Sequence, residues 1–146
     1  MKFSIEPITE HHFPRLIELI TQFATFQKSK EKLVNSVEKM HAEKSFLNGF
    51  VAVTEADEIL GYTTCFFAYF TWSGKSVYLD DLYVEPEYRG WGVGKALIES
   101  VIAFARQENC YKVHWQVSRW NKSAMAFYKS LGAEIDDTEY NCDLIL

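Results

Sequence analysis

The sequence predicts an α/β domain of the mixed α+β type, in which helices cover a mixed β-sheet. Two observations lead to this prediction. Three β-rich runs between residues 49 and 84 are separated only by short turn-like breaks, as in an antiparallel meander. The chain then alternates helix, strand and helix, an order typical of a mixed sheet with helices packed on it. With 146 residues, of which 48% are hydrophobic, residues 1–146 are expected to form a single domain.

The N-terminal third predicts one strand and two helices. Residues 2–8, KFSIEPI, alternate apolar and polar side chains and therefore predict the first strand. Apolar residues then recur at helical spacing over residues 13–23, with Thr9 as the expected cap and Pro14 near the start of the helix. Residues 30–44, KEKLVNSVEKMHAEK, predict a second, more polar helix.

Strands and helices are predicted to alternate in the rest of the chain. The predicted segments are β-rich runs within 49–72 and 75–84, a helix over 92–109, a strand over 111–118, a helix over 121–132 and a last strand over 139–146. We expect Asn121 to cap the last helix and Gly132 to close it.

Composition and charge exclude several classes of protein. A formal net charge of -5 gives no general attraction to nucleic acid or anionic membranes, so any anionic ligand must be held locally. No apolar run reaches the length of a signal peptide or the roughly 18 residues of a membrane span, and we expect a cytoplasmic protein with no nucleic-acid or membrane partner. The spacing of the cysteines and histidines predicts neither a disulfide framework nor a metal site.

A glycine-rich loop, RGWGVG at residues 89–94, follows a predicted strand and opens a predicted helix. It is not a Walker A loop, because Lys95 is followed by Ala96 rather than serine or threonine. It is not the Rossmann fingerprint either, which needs glycine or alanine where Lys95 stands. Free N–H groups of a first helical turn, with Arg89 and Lys95 nearby, suit a pyrophosphate. The alternative is a turn that only lets strand and helix pack closely.

The segment YRGWGVGKAL resembles the acetyl-CoA binding loop of the GNAT N-acetyltransferases, whose pattern is Arg/Gln-x-x-Gly-x-Gly/Ala. Arg89, Gly92 and Gly94 occupy the defined positions of that pattern. The segment VSRWNKSAMAFYKSLGAE resembles the second cofactor segment of the family, with Asn121 and Tyr128 in the expected places. Over residues 69–133 the chain is similar to the diamine and thialysine acetyltransferase branch, in the segment TWSGKSVYLDDLYV followed by WNKSAMAFYKSLGA.

The resemblance implies the GNAT fold, a mostly antiparallel twisted sheet flanked by helices on both faces. It also implies acetyl-CoA as cosubstrate without a metal, a small-molecule primary amine as acceptor, direct attack in a ternary complex, and a homodimer. The cofactor contacts that it implies are Leu82, Tyr83, Val84, Arg89, Gly90, Trp91, Gly92, Val93, Gly94, Lys95, Asn121 and Tyr128. Main-chain N–H groups of residues 82–84 would bind the pantetheine arm and donate to the thioester oxygen.

Acyl transfer to an amine needs a group that accepts the amine's proton. A lysine-like amine has a pKa of about 10.4, so its deprotonation at pH 7 costs on the order of 4 to 5 kcal/mol. Asp80 matches the position where diamine acetyltransferases usually carry glutamate, and it is the candidate base, directly or through water. Asp80, Asp81 and Trp72 are the candidate substrate contacts.

The two aspartates also allow other interpretations. Neighbours in a strand point to opposite faces, so Asp80 and Asp81 share a pocket only if a local bulge intervenes. Alternatively, both are solvated at the end of the strand. Tyr128 is the candidate acid for the leaving thiolate, but Ala124, Phe127 and Leu131 complete a helical stripe with it, so it is equally a core residue.

The acceptor and the function class remain open at this stage. The lysine-rich segment FATFQKSKEK disfavours a long polycation, and a diamine or lysine-like amino acid is preferred over a polyamine, an aminoglycoside or a protein amine. Two other classes fit some of the residues. One is a non-catalytic acetyl-CoA sensing module, and the other is a phosphate-binding protein for a different nucleotide.

Overall fold

The computed structural model describes residues 1–146. Contacts within the chain group into two compact units, Met1–Trp115 and Gln116–Leu146, which are described separately. The first unit contains the whole sheet and the first three α-helices, and the second contains the last α-helix. The expectation of one domain spanning residues 1–146 stays a prediction.

The first unit is built on one five-stranded sheet. Its strands are β1 (Phe3–Pro7), β2 (Asn48–Thr54), β3 (Ile59–Phe70), β4 (Gly74–Val84) and β5 (Val113–His114). They lie side by side in chain order, and the first four pair antiparallel while β4 and β5 pair parallel. The predicted mixed, mostly antiparallel sheet with its meander is therefore confirmed.

Helices cover both faces of this sheet. They are α1 (Phe13–Phe26), α2 (Val37–Ala42) and α3 (Val93–Gln107). Val51 of β2 packs with Leu16 of α1 in one buried cluster, and its neighbour Ala52 packs with Leu97 of α3 in another. Because successive strand residues point to opposite faces, α1 and α3 lie on opposite sides of the sheet.

Local capping explains where α1 begins. Thr9 precedes a single 3-10 turn, Glu10–His12, that leads directly into α1. The Thr9 backbone N–H donates to Nδ1 of the buried His12 over 2.9 Å. Pro14 lies in the first helical turn, where a missing N–H costs nothing, so its predicted position is confirmed. Thr9 caps the 3-10 turn instead of α1, whose own cap residue is His12.

The predicted helix over residues 30–44 is wrong as a continuous element. It divides into a 3-10 turn at Lys30–Lys32, the short α2, and a second 3-10 turn that follows α2. The Asn35 side chain accepts from the Ser36 N–H over 2.9 Å, and the Ser36 hydroxyl accepts from the Lys39 N–H over 3.1 Å. These local acceptors start a new helix in the middle of the predicted one.

Two further strand predictions need correction. The strand predicted over 111–118 is reduced to Val113–His114, because only these residues pair with β4. The strand predicted over 139–146 is absent, because those residues pair with no other strand. Apolar, β-branched composition favours a strand only where a partner edge is available. The second unit does contain the predicted helix, α4 (Lys122–Ser130), closed by Gly132 at a φ of 88°.

Strands β3 and β4 lie close together at Gly61, which pairs with Val84. A Cβ atom at Gly61 would stand 2.6 Å from the backbone oxygen of Tyr83. Real Cβ atoms do not approach a backbone oxygen so closely, so any side chain at Gly61 displaces β4. Because Gly61 has no side chain, the end of β4 can lie this close to β3.

Gly61→Ala should therefore destabilise the fold by about 1–3 kcal/mol, because one strand must move to admit the methyl group. The free energy of unfolding from urea titration measures this loss. Gly94→Ala is the matched control, since its Cβ would meet only Val84 Cγ2 at 3.5 Å in a helical turn. Equal stability of the Gly61 variant and the parent would contradict the steric argument.

Candidate active site

A β-bulge interrupts the pairing of β3 and β4 at the two adjacent aspartates. Cys65 pairs with Leu79 and Thr64 pairs with Asp81, which leaves Asp80 without a partner on β3. An extra residue in one strand breaks the alternation of faces and redirects the side chains beside it. The bulge that would let Asp80 and Asp81 face one pocket is therefore present.

Three consecutive hydroxyl residues of β3 bind Asp81. The Tyr62 hydroxyl donates to Asp81 Oδ2 over 2.7 Å, and the Thr63 hydroxyl donates to the Asp81 carbonyl oxygen over 2.7 Å. The Thr64 hydroxyl accepts from the Asp81 N–H over 3.2 Å. All three residues are buried. Tyr62, Thr63 and Thr64, named the hydroxyl triplet below, therefore hold both the backbone and the side chain of Asp81.

The environment raises the pKa of both carboxyl groups. Burial, reinforced by the negative charge of Asp80, raises the pKa of Asp81 to about 6, against the opposing effect of the Tyr62 hydrogen bond. Surrounding protein atoms also raise the pKa of Asp80, although its side chain remains open to solvent. No cationic side chain acts on either group. Two neighbouring carboxylates without a counter-ion favour a bound cation and can accept a proton.

An aromatic strip lies beside these carboxylates. Phe66 follows Thr64 by two residues on β3 and pairs with Tyr78, so the strip lies on the same face of the sheet as Asp81. The rings of Phe66 and Tyr78 stack with centroids 5.0 Å apart, and Phe66 is 46% exposed. His114 of β5 extends the strip, with its ring 5.4 Å from that of Tyr78.

The glycine loop has the geometry of an open anion cradle. Gly90 and Gly92 both have a φ of 83°, a left-handed conformation that favours glycine. A Cβ at either position would meet no atom within 4 Å, so the space beside the loop is open. No side chain caps α3, which begins at Val93 and includes Gly94 in its first turn. These free N–H groups and the positive end of the helix fit a pyrophosphate.

The charged and aromatic residues of the loop have different surroundings. The Arg89 guanidinium lies over the rings of Tyr83 and Phe26, 5.4 Å and 5.2 Å from their centroids, and its Nε donates to the Val84 carbonyl over 2.9 Å. Lys95 is exposed and lies 3.8 Å from Glu99 one helical turn away. Trp91 is 58% exposed. Their cofactor contacts stay predictions.

The end of β4 keeps one open edge. β5 pairs with β4 only at Val77 and Tyr78, so residues 79–84 have no strand partner on that side. This open edge includes Leu82 and Val84, whose backbone groups were predicted to bind the pantetheine arm. The Tyr83 side chain is not part of that edge, because it is buried and donates to Gln22 of α1 over 3.1 Å. Only its backbone is available to a ligand.

An ion pair ties α1 to the residue after β4. Arg15 donates through Nη2 to both carboxylate oxygens of Glu85, over 2.9 Å and 2.8 Å. Gln22 donates to the same carboxylate over 3.3 Å while it accepts from Tyr83. Because one nitrogen of Arg15 binds both oxygens, the contact holds the guanidinium close to the Glu85 carboxylate. These contacts hold the end of β4 and the start of the loop against α1.

Two predicted site residues lie in the second unit. Asn121 caps α4, as its side chain accepts from the Ala124 N–H over 3.2 Å. Tyr128 is half-buried with its ring stacked on Phe127 at 5.6 Å, and burial raises the pKa of its hydroxyl. The first unit contains Trp72, which lies in the turn between β3 and β4 and is fully exposed. The roles predicted for these three residues in binding and catalysis stay predictions.

The hydroxyl triplet and the aromatic strip were not predicted from the sequence. The consecutive Tyr-Thr-Thr in a predicted strand was a visible signal, but its register against Asp81 depends on the bulge. No group of three or more histidine, cysteine, aspartate or glutamate side chains is arranged to hold a metal ion. None of the helices combines the length and apolarity that a membrane crossing requires.

Comparison with known proteins assigns this architecture to a family. Residues 13–133 match the model of the acetyltransferase (GNAT) family. The chain is 33% identical over 131 residues to the thialysine N-epsilon-acetyltransferase of Caenorhabditis elegans, covering 88% of this chain and 81% of that protein. It is 35% identical over 130 residues to the Bos taurus thialysine N-epsilon-acetyltransferase, covering 82% of this chain and 76% of that protein.

A solved acetyltransferase structure has a similar fold. An aminoglycoside acetyltransferase from an uncultured soil metagenomic sample, in complex with sisomicin, superposes with a TM-score of 0.78 at 25% identity, covering 98% of this chain and 97% of that chain. The overall fold is thus shared with an acetyltransferase of known structure.

The coupling between the two aspartates can be measured directly. The Asp81 carboxyl should titrate with a midpoint of about 6, and Asp80→Asn should lower this midpoint because it removes the neighbouring negative charge. Carbon-13 NMR of the side-chain carboxyl groups follows the titration. Asp57→Asn, in the turn between β2 and β3, is the control and should leave the Asp81 midpoint unchanged. An Asp81 midpoint near its ordinary value of about 3.9 would contradict the assigned environment.

Proposed function

Because this chain belongs to the acetyltransferase (GNAT) family and is an acyltransferase, we propose that it transfers the acetyl group of acetyl-CoA to a primary amine of a small molecule. The proposed acceptor is a linear amine such as a diamine, a polyamine or a lysine-like amino acid. The observation that carries the proposal is the pair of carboxylates at the bulge, Asp80 and Asp81, which has no counter-ion of its own.

The glycine loop and the open edge of β4 would hold the cofactor. Free N–H groups at the start of α3 and the cradle at Gly90 and Gly92 match a pyrophosphate, and the unpaired edge of β4 offers donors and acceptors to the amides of a pantetheine arm. Acetyl-CoA supplies the acetyl group as an activated thioester when it is bound. This assignment uses Leu82, Tyr83 and Val84 only through their backbone.

In the proposed reaction, Asp80 accepts the proton of the acceptor ammonium. The raised pKa of Asp80 makes its carboxylate a stronger base than an aspartate in water, which lowers the cost of forming a neutral amine. The amine nitrogen then attacks the thioester carbon and releases its second proton to solvent, the carbon–sulfur bond breaks, and the thiolate takes a proton from a donor that solvent then reprotonates. Tyr128 is the proposed donor of that proton, a transfer that is uphill by roughly 2 kcal/mol for unshifted groups.

The aromatic strip favours a linear acceptor. Phe66 and Tyr78 present a flat apolar surface next to the carboxylates, which suits a chain of methylene groups that leads away from an ammonium group. The names of the thialysine acetyltransferases point to the same class of substrate. The solved complex with sisomicin makes an aminoglycoside the second candidate.

The decisive experiment measures CoA release by the purified protein with acetyl-CoA and a panel of amines. The panel contains diamines, polyamines, lysine and thialysine, aminoglycosides and a peptide with a free N-terminus. Release that depends on a linear amine supports the proposal, whereas release with aminoglycosides alone favours the second candidate. Tight acetyl-CoA binding without release for any amine would instead indicate a sensing module.

Gly92→Val should weaken acetyl-CoA binding about tenfold or more, because a β-branched residue is strained at a φ of 83° and reshapes the cradle. Isothermal titration calorimetry with acetyl-CoA measures the dissociation constant. Gly74→Val is the matched control, since Gly74 has a φ of 89° and equally open space but lies at the start of β4. If both variants lost the same affinity for acetyl-CoA, the loss would come from a general destabilisation of the fold and not from the shape of the glycine loop.

Asp80→Asn should lower kcat by about 100-fold or more, the usual contribution of a general base, and leave acetyl-CoA affinity unchanged. Initial rates at saturating amine and acetyl-CoA measure this loss. Asp57→Asn removes one exposed carboxylate from a turn with φ of 63°, a conformation that asparagine tolerates, and should keep full activity. Unchanged turnover of the Asp80 variant would reject Asp80 as the base.

A further inference from the structure

Tyr62 is a buried titratable residue that the proposed reaction does not use. Its side chain is fully buried under α1, within the cluster that contains Leu16 and Tyr83. A buried hydroxyl needs a hydrogen-bond partner, and the partner of Tyr62 is Asp81 Oδ2 at 2.7 Å. The ring is locked by packing, so this hydrogen bond fixes the orientation of the Asp81 carboxyl group. The second oxygen, Oδ1, is left for another partner.

Few other groups act on Asp81. The titratable groups that face it are Asp80 from β4 and Tyr62 from β3, and no group of α1 or α3 acts on its pKa. Tyr83 faces Tyr62 with ring centroids 6.4 Å apart, and Tyr78 faces Asp80. No cation neutralises the two carboxylates. Protonation of Asp81 therefore depends on Asp80 and on Tyr62.

We propose that Asp81 is a second proton-accepting group of the active site and that Tyr62 is the positioning residue that keeps Asp81 available for this role. The inference rests on the proposed function. The N–H bond of the acceptor ammonium breaks, and its proton moves to a carboxylate oxygen of Asp80 or to Oδ1 of Asp81. The proton leaves to solvent after the acetylated amine departs.

Asp80 and Tyr62 have opposite effects on the pKa of Asp81. The negative charge of Asp80 favours a proton on Asp81, because two adjacent carboxylates resist double ionisation. The hydrogen bond from Tyr62 favours the ionised form of Asp81 and opposes that effect. Loss of the Tyr62 hydroxyl therefore makes the pair hold its proton to a higher pH. An Asp81 that already carries a proton cannot accept one from the amine.

Tyr62→Phe tests this inference while it keeps the buried ring. The acidic limb of the pH profile of kcat/KM for the amine should move to higher pH by about half to one unit, the effect of one lost hydrogen bond. The rate above this limb and the KM for acetyl-CoA should change little. A purely structural role of Tyr62 would instead lower the rate at every pH without moving the limb. An unmoved limb would overturn the proposal.

A second pair of variants isolates the interaction. In an Asp81→Asn background, Tyr62→Phe should cause no further shift, because the group that it acts on has lost its titration. An equal shift in that background would also overturn the proposal. Carbon-13 NMR separates this inference from the proposed function, because Tyr62→Phe should raise the midpoint of the Asp81 titration even if no amine is acetylated. Thermal unfolding of each variant confirms that the fold is kept.

Discussion

The bulge at Asp80 is the constraint on which the arrangement of the site depends. A regular strand would turn Asp80 and Asp81 to opposite faces of the sheet, where one of them would be under α3. The hydroxyl triplet of β3 binds the N–H, the carbonyl and the side chain of Asp81, so the irregular pairing costs few unsatisfied polar groups. The same bonds hold Asp81 in place beside Asp80, although no cationic side chain neutralises either carboxyl group.

A second constraint acts at the end of β4, where the sheet opens. β5 pairs with only two residues of β4, so the edge beyond Tyr78 is available to a ligand rather than to a strand. An open edge would move freely if it were held only by β3. Gly61 brings β3 close to Tyr83, and Arg15 holds Glu85 against α1. One contact comes from the neighbouring strand and the other from a helix on the face of the sheet, so both restrict the position of the end of β4.

Much of the fold could be predicted from local sequence patterns. The register between strands that are distant in the sequence could not. The meander, α1 and α3 follow from periodicity, and the cradle follows from the position of Gly90 and Gly92 between a strand and a helix. The second helix was overpredicted because Asn35 and Ser36 provide acceptors that end one turn and start another. The sequence showed only that Asp80 and Asp81 need a bulge to share a pocket. Whether a bulge forms depends on which residue of β3 stands opposite Asp81. Tyr62 was missed for the same reason, because its partner is 19 residues away along the chain.

The charge distribution along β4 explains how an acidic protein can hold both substrates of the proposed reaction. The chain carries a formal net charge of -5, so it does not attract a polyanionic cofactor as a whole. Attraction is local at the end of β4, where the positive end of α3 and the guanidinium of Arg89 meet the glycine cradle. The negative charge lies at the bulge in the middle of the same strand. In the proposed reaction, an anionic cofactor and a cationic amine would thus be attracted to different points of β4, with the thioester between these two points.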